Sequence, residues 1–277
     1  ANFKLSNKGE WIFLSNQTGL VDSFDVEEMH LNQSIGRITD GAQEIGLFVN
    51  ATPGTSNNTS TAYTQGYSKK SKFNLEAGFY DAAVDVEITT EEPDASIRFT
   101  LDGSEPVETS SIYTKAVRIT KTQCLKARVF SKTKLPSKVE TATFLIKENF
   151  QLLVLSVSTN NENLYGSSGI FSNSNATWNK PAYVEYFDKE KKLAFSQLAG
   201  MQVDGGAGGS RSREQHSFRM EPGNSTFGEG DVNYRLLHRR PNRTNYPSFY
   251  VRNGSNQYNI LPYKDALEVT ALGRNTY

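Results

Sequence analysis

The sequence predicts a mostly-β chain built from several modules. Three observations carry that prediction. Apolar residues recur with period two in short runs, turn residues separate those runs, and one stretch alone, near the end, has a convincing helical pattern. At 277 residues the chain exceeds one typical domain, so two or three are expected.

Residues 1–57 open the chain with Trp11-Ile-Phe-Leu, Val21 to Val26 and Gly46-Leu-Phe-Val, separated by turns such as Asn16-Gln-Thr-Gly19. Short strands so spaced predict a small all-β module. The polar tract Thr55–Lys72 has no apolar period, and residues 58–72 read as a linker. Residues 73–146 repeat the β pattern more strongly, in Val84-Asp-Val-Glu-Ile, Ser96-Ile-Arg-Phe-Thr-Leu, Val117-Arg-Ile and Leu125-Lys-Ala-Arg-Val-Phe. Such alternation predicts one buried and one wet face. Asp102-Gly103 falls between two runs and suits a tight turn with positive φ. About seven strands in roughly 75 residues is a sandwich count.

Residues 147–277 change texture. Leu152-Leu-Val-Leu-Ser-Val reads as a buried strand, followed by Tyr183-Val-Glu-Tyr-Phe. A glycine-rich stretch at Gly205–Gly209 precedes strands at Ser217-Phe-Arg-Met and Ser248-Phe-Tyr-Val-Arg. The helix is predicted from about Pro262 to Gly273, with Pro262 in its first turn and Gly273 at its end.

Bulk properties exclude several classes. Lysine plus arginine equals aspartate plus glutamate at 30 each, so no net field attracts nucleic acid or an anionic membrane surface. Mean hydropathy is −0.55, and no apolar run approaches the ~18 residues of a spanning helix, so no transmembrane segment is expected. A single cysteine, Cys124, excludes an internal disulfide framework and a cysteine-rich zinc site, and its alternating surroundings suit a buried strand thiol.

Three family resemblances follow from particular residues. Phe3-Lys-Leu-Ser-Asn-Lys-Gly-Glu, Val21-Asp-Ser-Phe-Asp, Ser34-Ile-Gly-Arg37 with Asp40-Gly41, and Thr52-Pro-Gly-Thr55 with Asn57 resemble the C-terminal half of a lamin-tail-type domain. That is an immunoglobulin-like fold, here partial over 1–57. Gly78-Phe-Tyr80, Ile97-Arg-Phe-Thr-Leu-Asp-Gly-Ser-Glu-Pro106, Ser111-Ile-Tyr113 and Lys126-Ala-Arg resemble the immunoglobulin-like module at the C-terminus of chitobiases and hexosaminidases, an accessory module in that family.

From residue 150 the chain is similar to the opening part of the spore-coat CotH-type kinase family. The carrying segments include Leu164-Tyr-Gly, Gly169-Ile-Phe171, Pro181-Ala-Tyr-Val-Glu-Tyr-Phe187, Gln215-His-Ser-Phe-Arg219, Tyr250-Val-Arg-Asn-Gly-Ser-Asn256 and Lys264-Asp-Ala266. Two departures stand in them. His216 takes the family's lysine place, and Ser255 and Gln257 flank Asn256 where the family has Gly and Asp. Together the resemblances imply a multi-domain fold class: two immunoglobulin-like β-sandwich modules, then the N-terminal part of an atypical kinase-like α/β domain. They also imply an extracytoplasmic location, secreted or at the cell surface, and ATP-dependent phosphoryl transfer to a secreted or surface protein. The family's metal-binding and catalytic acidic residues are expected beyond Tyr277. The chain alone is therefore expected to lack a full catalytic site, and ATP and Mg are cofactors expected of a longer parent.

Phosphoryl transfer needs cations or backbone amides on the phosphates, metal ligands and a positioned base. Only the first has candidates. Gly205 and Gly206 open a stretch that suits either a phosphate-cradling nest or a hairpin tip, and no Gly-Lys-Ser/Thr signature accompanies it. Arg219 and Arg252 end alternating strands, where a guanidinium can fork onto phosphate oxygens or simply face water. His216 replaces a lysine only partly, since imidazole is mostly neutral at pH 7. Lys264 and Glu268, four apart on the predicted helix, suit either a kinase-type pair or a solvated ion pair. The basic run Arg235, His238, Arg239, Arg240 and Arg243 suits an anionic partner or a solvated loop. No catalytic base and no metal ligand is assigned. The alternative function is a non-catalytic surface protein whose sandwiches bind a glycan or another protein.

Overall fold

The computed structural model describes residues 9–26, 29–30, 33–206, 210–212, 214–237, 240 and 242–253. The predicted helix at 262–273, and with it Lys264, lies outside these residues. What is described is mostly β, as alternation requires.

Strands β1 (Glu10–Asn16) and β2 (Gly19–Val26) form an antiparallel hairpin, and β3 (Ser34–Arg37) with β4 (Ile45–Phe48) forms a second. Arg37 ties the two together by donating to both carboxylate oxygens of Asp22 at 2.8 Å. Leu47 and Phe48 are buried, whereas Trp11, Phe13, Leu14, Leu20 and Val21 of the first hairpin are exposed.

The stretch read as a linker is held by backbone bonds on both sides. Tyr63 exchanges two with Leu47, at 2.8 and 3.0 Å, and Leu135 bonds Gly66 and Ser68 at 2.9 and 2.8 Å. Its last residues enter β5 (Ser71–Phe73). Backbone pairing needs no apolar side chains, so hydropathy gives no sign of it.

The sandwich follows. Its strands are β6 (Gly78–Tyr80), β7 (Val84–Val86), β8 (Ile88–Thr90), β9 (Ser96–Thr100), β10 (Ser111–Ile112), β11 (Val117–Ile119), β12 (Gln123–Phe130) and β13 (Glu140–Ile146). One layer is a five-stranded sheet in the order β10-β9-β12-β13-β6; the pairs β11-β7 and β5-β8 face it. Val86, Ile88, Val117 and Ile119 from the pairs meet Leu125, Ala127, Val129, Ala142 and Phe144 from the sheet in one core. The Asp102-Gly103 turn is present. Gly103 has φ +82°, Asp102 accepts bonds from the Ser104 amide (3.0 Å) and hydroxyl (2.6 Å), and a Cβ on Gly103 would come within 3.1 Å of Ser158.

The wet face expected of β12 is not wet. Lys126 and Thr143 are only 3% and 4% exposed, because a second five-stranded sheet covers them. That sheet runs β14-β15-β16-β17-β20, all antiparallel, from β14 (Val154–Ser158), β15 (Lys180–Phe187), β16 (Leu193–Asp204), β17 (Ser217–Glu221) and β20 (Phe249–Val251). A one-turn helix α1 (Asn161–Leu164) follows β14, and the short pair β18 (Val232–Asn233) and β19 (Asn245–Tyr246) interrupts the chain before β20. The buried strand expected at 152–157 is not buried: residues 154–156 are half-buried, and Leu152, Leu153 and Val157 are exposed. Leu152 precedes β14 and is 75% exposed, and β14 itself is an edge strand.

Glu185 of β15 is the centre of the junction between the two sheets. It is 1% exposed and accepts the Thr143 amide at 3.0 Å on one oxygen and the Thr143 hydroxyl on the other. The same hydroxyl shares a 2.8 Å bond with Ser156. Burial pushes the Glu185 carboxyl up and the Lys126 ammonium down from their ordinary values. Phe79 closes one side of the junction, edge-on to Phe187 at 5.8 Å, and the Asn160 side chain accepts the Glu105 amide at 2.6 Å on another.

Candidate functional site

The second sheet has two unlike faces. Ala182, Val184, Ala199, Met201, Val203 and Met220 point to one side, where Ile170 and Phe171 of the loop after α1 cover them. Because side chains alternate across a strand, Glu185, Gly200, Gln202, Arg219, Glu221 and Tyr250 share the other side. The sandwich covers the Glu185 end of that face. The Arg219 end is open, and Tyr250, directly opposite Arg219, is 53% exposed.

Arg219 is held by its neighbour two positions on. Its Nη2 donates to Glu221 Oε1 at 2.9 Å, and the other Glu221 oxygen accepts from Asn179 and, at 3.3 Å, from Asn224. Gly200, opposite Glu221, leaves room for this cluster, since a Cβ there would come within 2.9 Å of Asn179 Oδ1 and 3.1 Å of Asn224. Two buried atoms of the cluster have no partner: Arg219 Nε, a donor, and Asn179 Oδ1, an acceptor. Buried polar atoms are nearly always bonded, so these two set the cluster apart from the rest of the sheet.

The glycine-rich stretch lies at one end of this sheet. Gly205 follows β16 with φ +120°, and a Cβ on it would come within 2.8 Å of Ser210, so both backbone and space demand glycine. Its carbonyl accepts Arg211 Nε at 2.6 Å, and Arg211 also reaches the carbonyls of Ser174 and Ala176. Arg211 therefore braces the turn. Gly206 is exposed with open space around it, and residues 207–209 lie outside those described. The Ser210 hydroxyl accepts the Ser217 amide at 2.6 Å, starting β17 at the same end. Arg252, exposed, follows β20 there, beside Asn253, whose amide donates to the Ser217 hydroxyl at 3.1 Å.

The fold thus gathers Gly205, Gly206, Arg219 and Arg252 at one end of one sheet, with Arg219 opposite Gln202, three residues or roughly 10 Å in from Gly205. His216 is half-buried against Phe171 at 5.0 Å, its Nδ1 3.0 Å from the Ser210 carbonyl oxygen, so it serves the turn. In the basic run, Arg243 lies over the Tyr246 ring at 4.7 Å, and His238 and Arg239 lie outside the described residues. Sequence reasoning missed Glu221, Asn179 and Asn224. Glu221 was within reach, since i and i+2 share a strand face; Asn179, 42 positions from Glu221, had no such signal.

The part-exposed Arg219 side chain suits a phosphate oxygen by charge. Among the described residues no group of three or more His, Cys, Asp or Glu side chains is placed to hold a metal ion. No helix among them is long and apolar enough to cross a membrane.

Comparison with known proteins bears on the sandwich. No curated protein and no solved structure matches the chain. Residues 75–141, most of the sandwich, match the family model of the chitobiase/beta-hexosaminidase C-terminal domain, and this part of the chain is an immunoglobulin-like module of that type.

Proposed function

We propose that this chain is the accessory and leading part of an extracytoplasmic CotH-kinase-like protein, whose open sheet face holds the phosphates of ATP. In this reading the parent protein phosphorylates secreted or surface proteins. The modules before residue 147 are display and docking elements, the first of them of lamin-tail type. The observation that carries it is Arg219: a part-exposed cation fixed by Glu221, near the glycine turn and Arg252.

Each residue has a part. Glu221 takes Nη2 and fixes the plane of the guanidinium, leaving the part-exposed side chain to meet a phosphate oxygen. The glycine turn lets backbone approach without a side chain in the way. Arg252 adds a second positive charge at the same end. Bound ATP with its metal would supply the transferable phosphoryl group; the residues described here bind and orient it.

The test is phosphate transfer from labelled ATP to protein by the longest natural chain containing this sequence. Arg219→Ala is expected to lower the rate at least tenfold, and Arg219→Lys to recover part of it. Undiminished transfer in Arg219→Ala would contradict the assignment of Arg219, and no transfer by the native chain would contradict the kinase reading.

A further inference from the structure

A groove of about 650 Å³ lies between the Tyr63 segment and the outer face of the sandwich sheet, far along the chain from Arg219. Its volume falls in the range of small-ligand sites. Val49 and Val107, both about half exposed, form part of its wall. The side chains that matter chemically are Tyr63, Asp94, Glu108, Arg128, Phe130 and Lys132.

Arg128 is the fixed point. Its Nε donates to the Ser137 carbonyl at 2.8 Å, and its guanidinium carbon sits 5.9 Å from the centre of the Phe130 ring. Neither terminal nitrogen has a hydrogen-bond or ion-pair partner among the described residues. Arg98 stands directly opposite Arg128 on β9, and like charges so paired oppose folding. No ion pair among the described residues relieves either arginine, and Glu105 acts on Arg128 only through its charge, without contact. Tyr63 is positioned by its two backbone bonds to Leu47, while its hydroxyl makes no bond there.

The groove therefore offers donors (Arg128, Lys132, Tyr63), of which Arg128 is held in place, acceptors (Asp94, Glu108) and two aromatic rings within one concavity. A single anion would meet the two carboxylates, and a plain apolar ligand would strand the charges. A sugar satisfies all three. Each hydroxyl donates and accepts, adjacent hydroxyls match the fork of an arginine, and the C–H face of a pyranose stacks on an aromatic ring.

We propose that this groove binds an oligosaccharide, with Arg128 as its anchor and Glu108 and Asp94 as the acceptors for sugar hydroxyls. The proposal is independent of the nucleotide reading, since it uses none of the same residues. It gives the sandwich a ligand of its own and the parent protein a means of holding to a glycan-bearing surface.

The test is calorimetric titration of the 277-residue chain with a neutral tetrasaccharide, a uronic-acid tetrasaccharide and, as a third arm, an acidic peptide of similar length. The neutral sugar is expected to bind, and Arg128→Gln and Glu108→Ala are each expected to weaken it at least tenfold. Glu108 is exposed, so its variant keeps the test valid even if Arg128→Gln fails to fold. Binding of the uronic-acid sugar alone would keep the site and move the Arg128 contact to a carboxylate. Binding of the peptide without either sugar, no binding at all, or sugar binding unchanged in Glu108→Ala would overturn the proposal.

Discussion

Glu185 and Glu221 lie on the same face of the same sheet, two strands apart, and live in opposite conditions. Glu185 is enclosed by the sandwich, bonded twice to Thr143, and its carboxyl is pushed up by burial. Glu221 stands at the open end, paired with a part-exposed arginine and bonded to two asparagines. One carboxylate joins two modules, and the other pairs with an arginine at the open end. Strand alternation puts both on one face; what covers that face decides which role each takes.

The largest effect is expected at the closed end. Glu185→Ala leaves the Thr143 amide and hydroxyl buried without their acceptor and should cost about 3 kcal/mol, read as a lowered midpoint in denaturant unfolding. Gly205→Ala should cost about 2 kcal/mol, because an alanine there meets both a disfavoured φ and the Ser210 side chain. At the open end Glu221→Ala should cost about 1 kcal/mol, since the Arg219 side chain it leaves is 39% exposed. A loss at Glu221 equal to that at Glu185 would erase the contrast.

The smallest effect is in the pH dependence, and its sign is distinct. A carboxyl whose folded value lies above its ordinary 4.5 binds protons more tightly when folded, so its contribution to stability falls as pH rises from about 4.5 through that raised value. Lys126, lowered from its ordinary 10.5, acts the other way on the alkaline side, and stability rises with pH between the lowered value and 10.5. Glu185→Gln should flatten the acid-side slope while keeping most of the junction, as followed by thermal unfolding between pH 4 and 7. An unchanged slope would show that the titrating group lies elsewhere.

Much of the sandwich was legible in the residues. Val84-Asp-Val-Glu-Ile and Leu125-Lys-Ala-Arg-Val bury their apolar positions as alternation requires, and Asp102-Gly103 turns with positive φ. The covered outer face was not legible, because Lys126 and Thr143 look like ordinary solvent-side residues until another sheet lies over them. The pinned stretch at 63–72 escaped for a related reason: its bonds are made by backbone, which carries no sequence signature. At the candidate site, Arg219, Arg252 and the glycines could be named one by one. Their meeting at one sheet end depends on the register of β16, β17 and β20, and the Asn179 contact depends on a loop closing across many positions.

The central claim is that Arg219 is a held, open cation for phosphate. Calorimetric titration of ATP and Mg into the native chain, Arg219→Ala and Glu185→Gln tests it most directly. Binding by the native chain and by Glu185→Gln, with at least tenfold loss in Arg219→Ala, is the predicted result. Equal binding by all three, or binding by none, would contradict it.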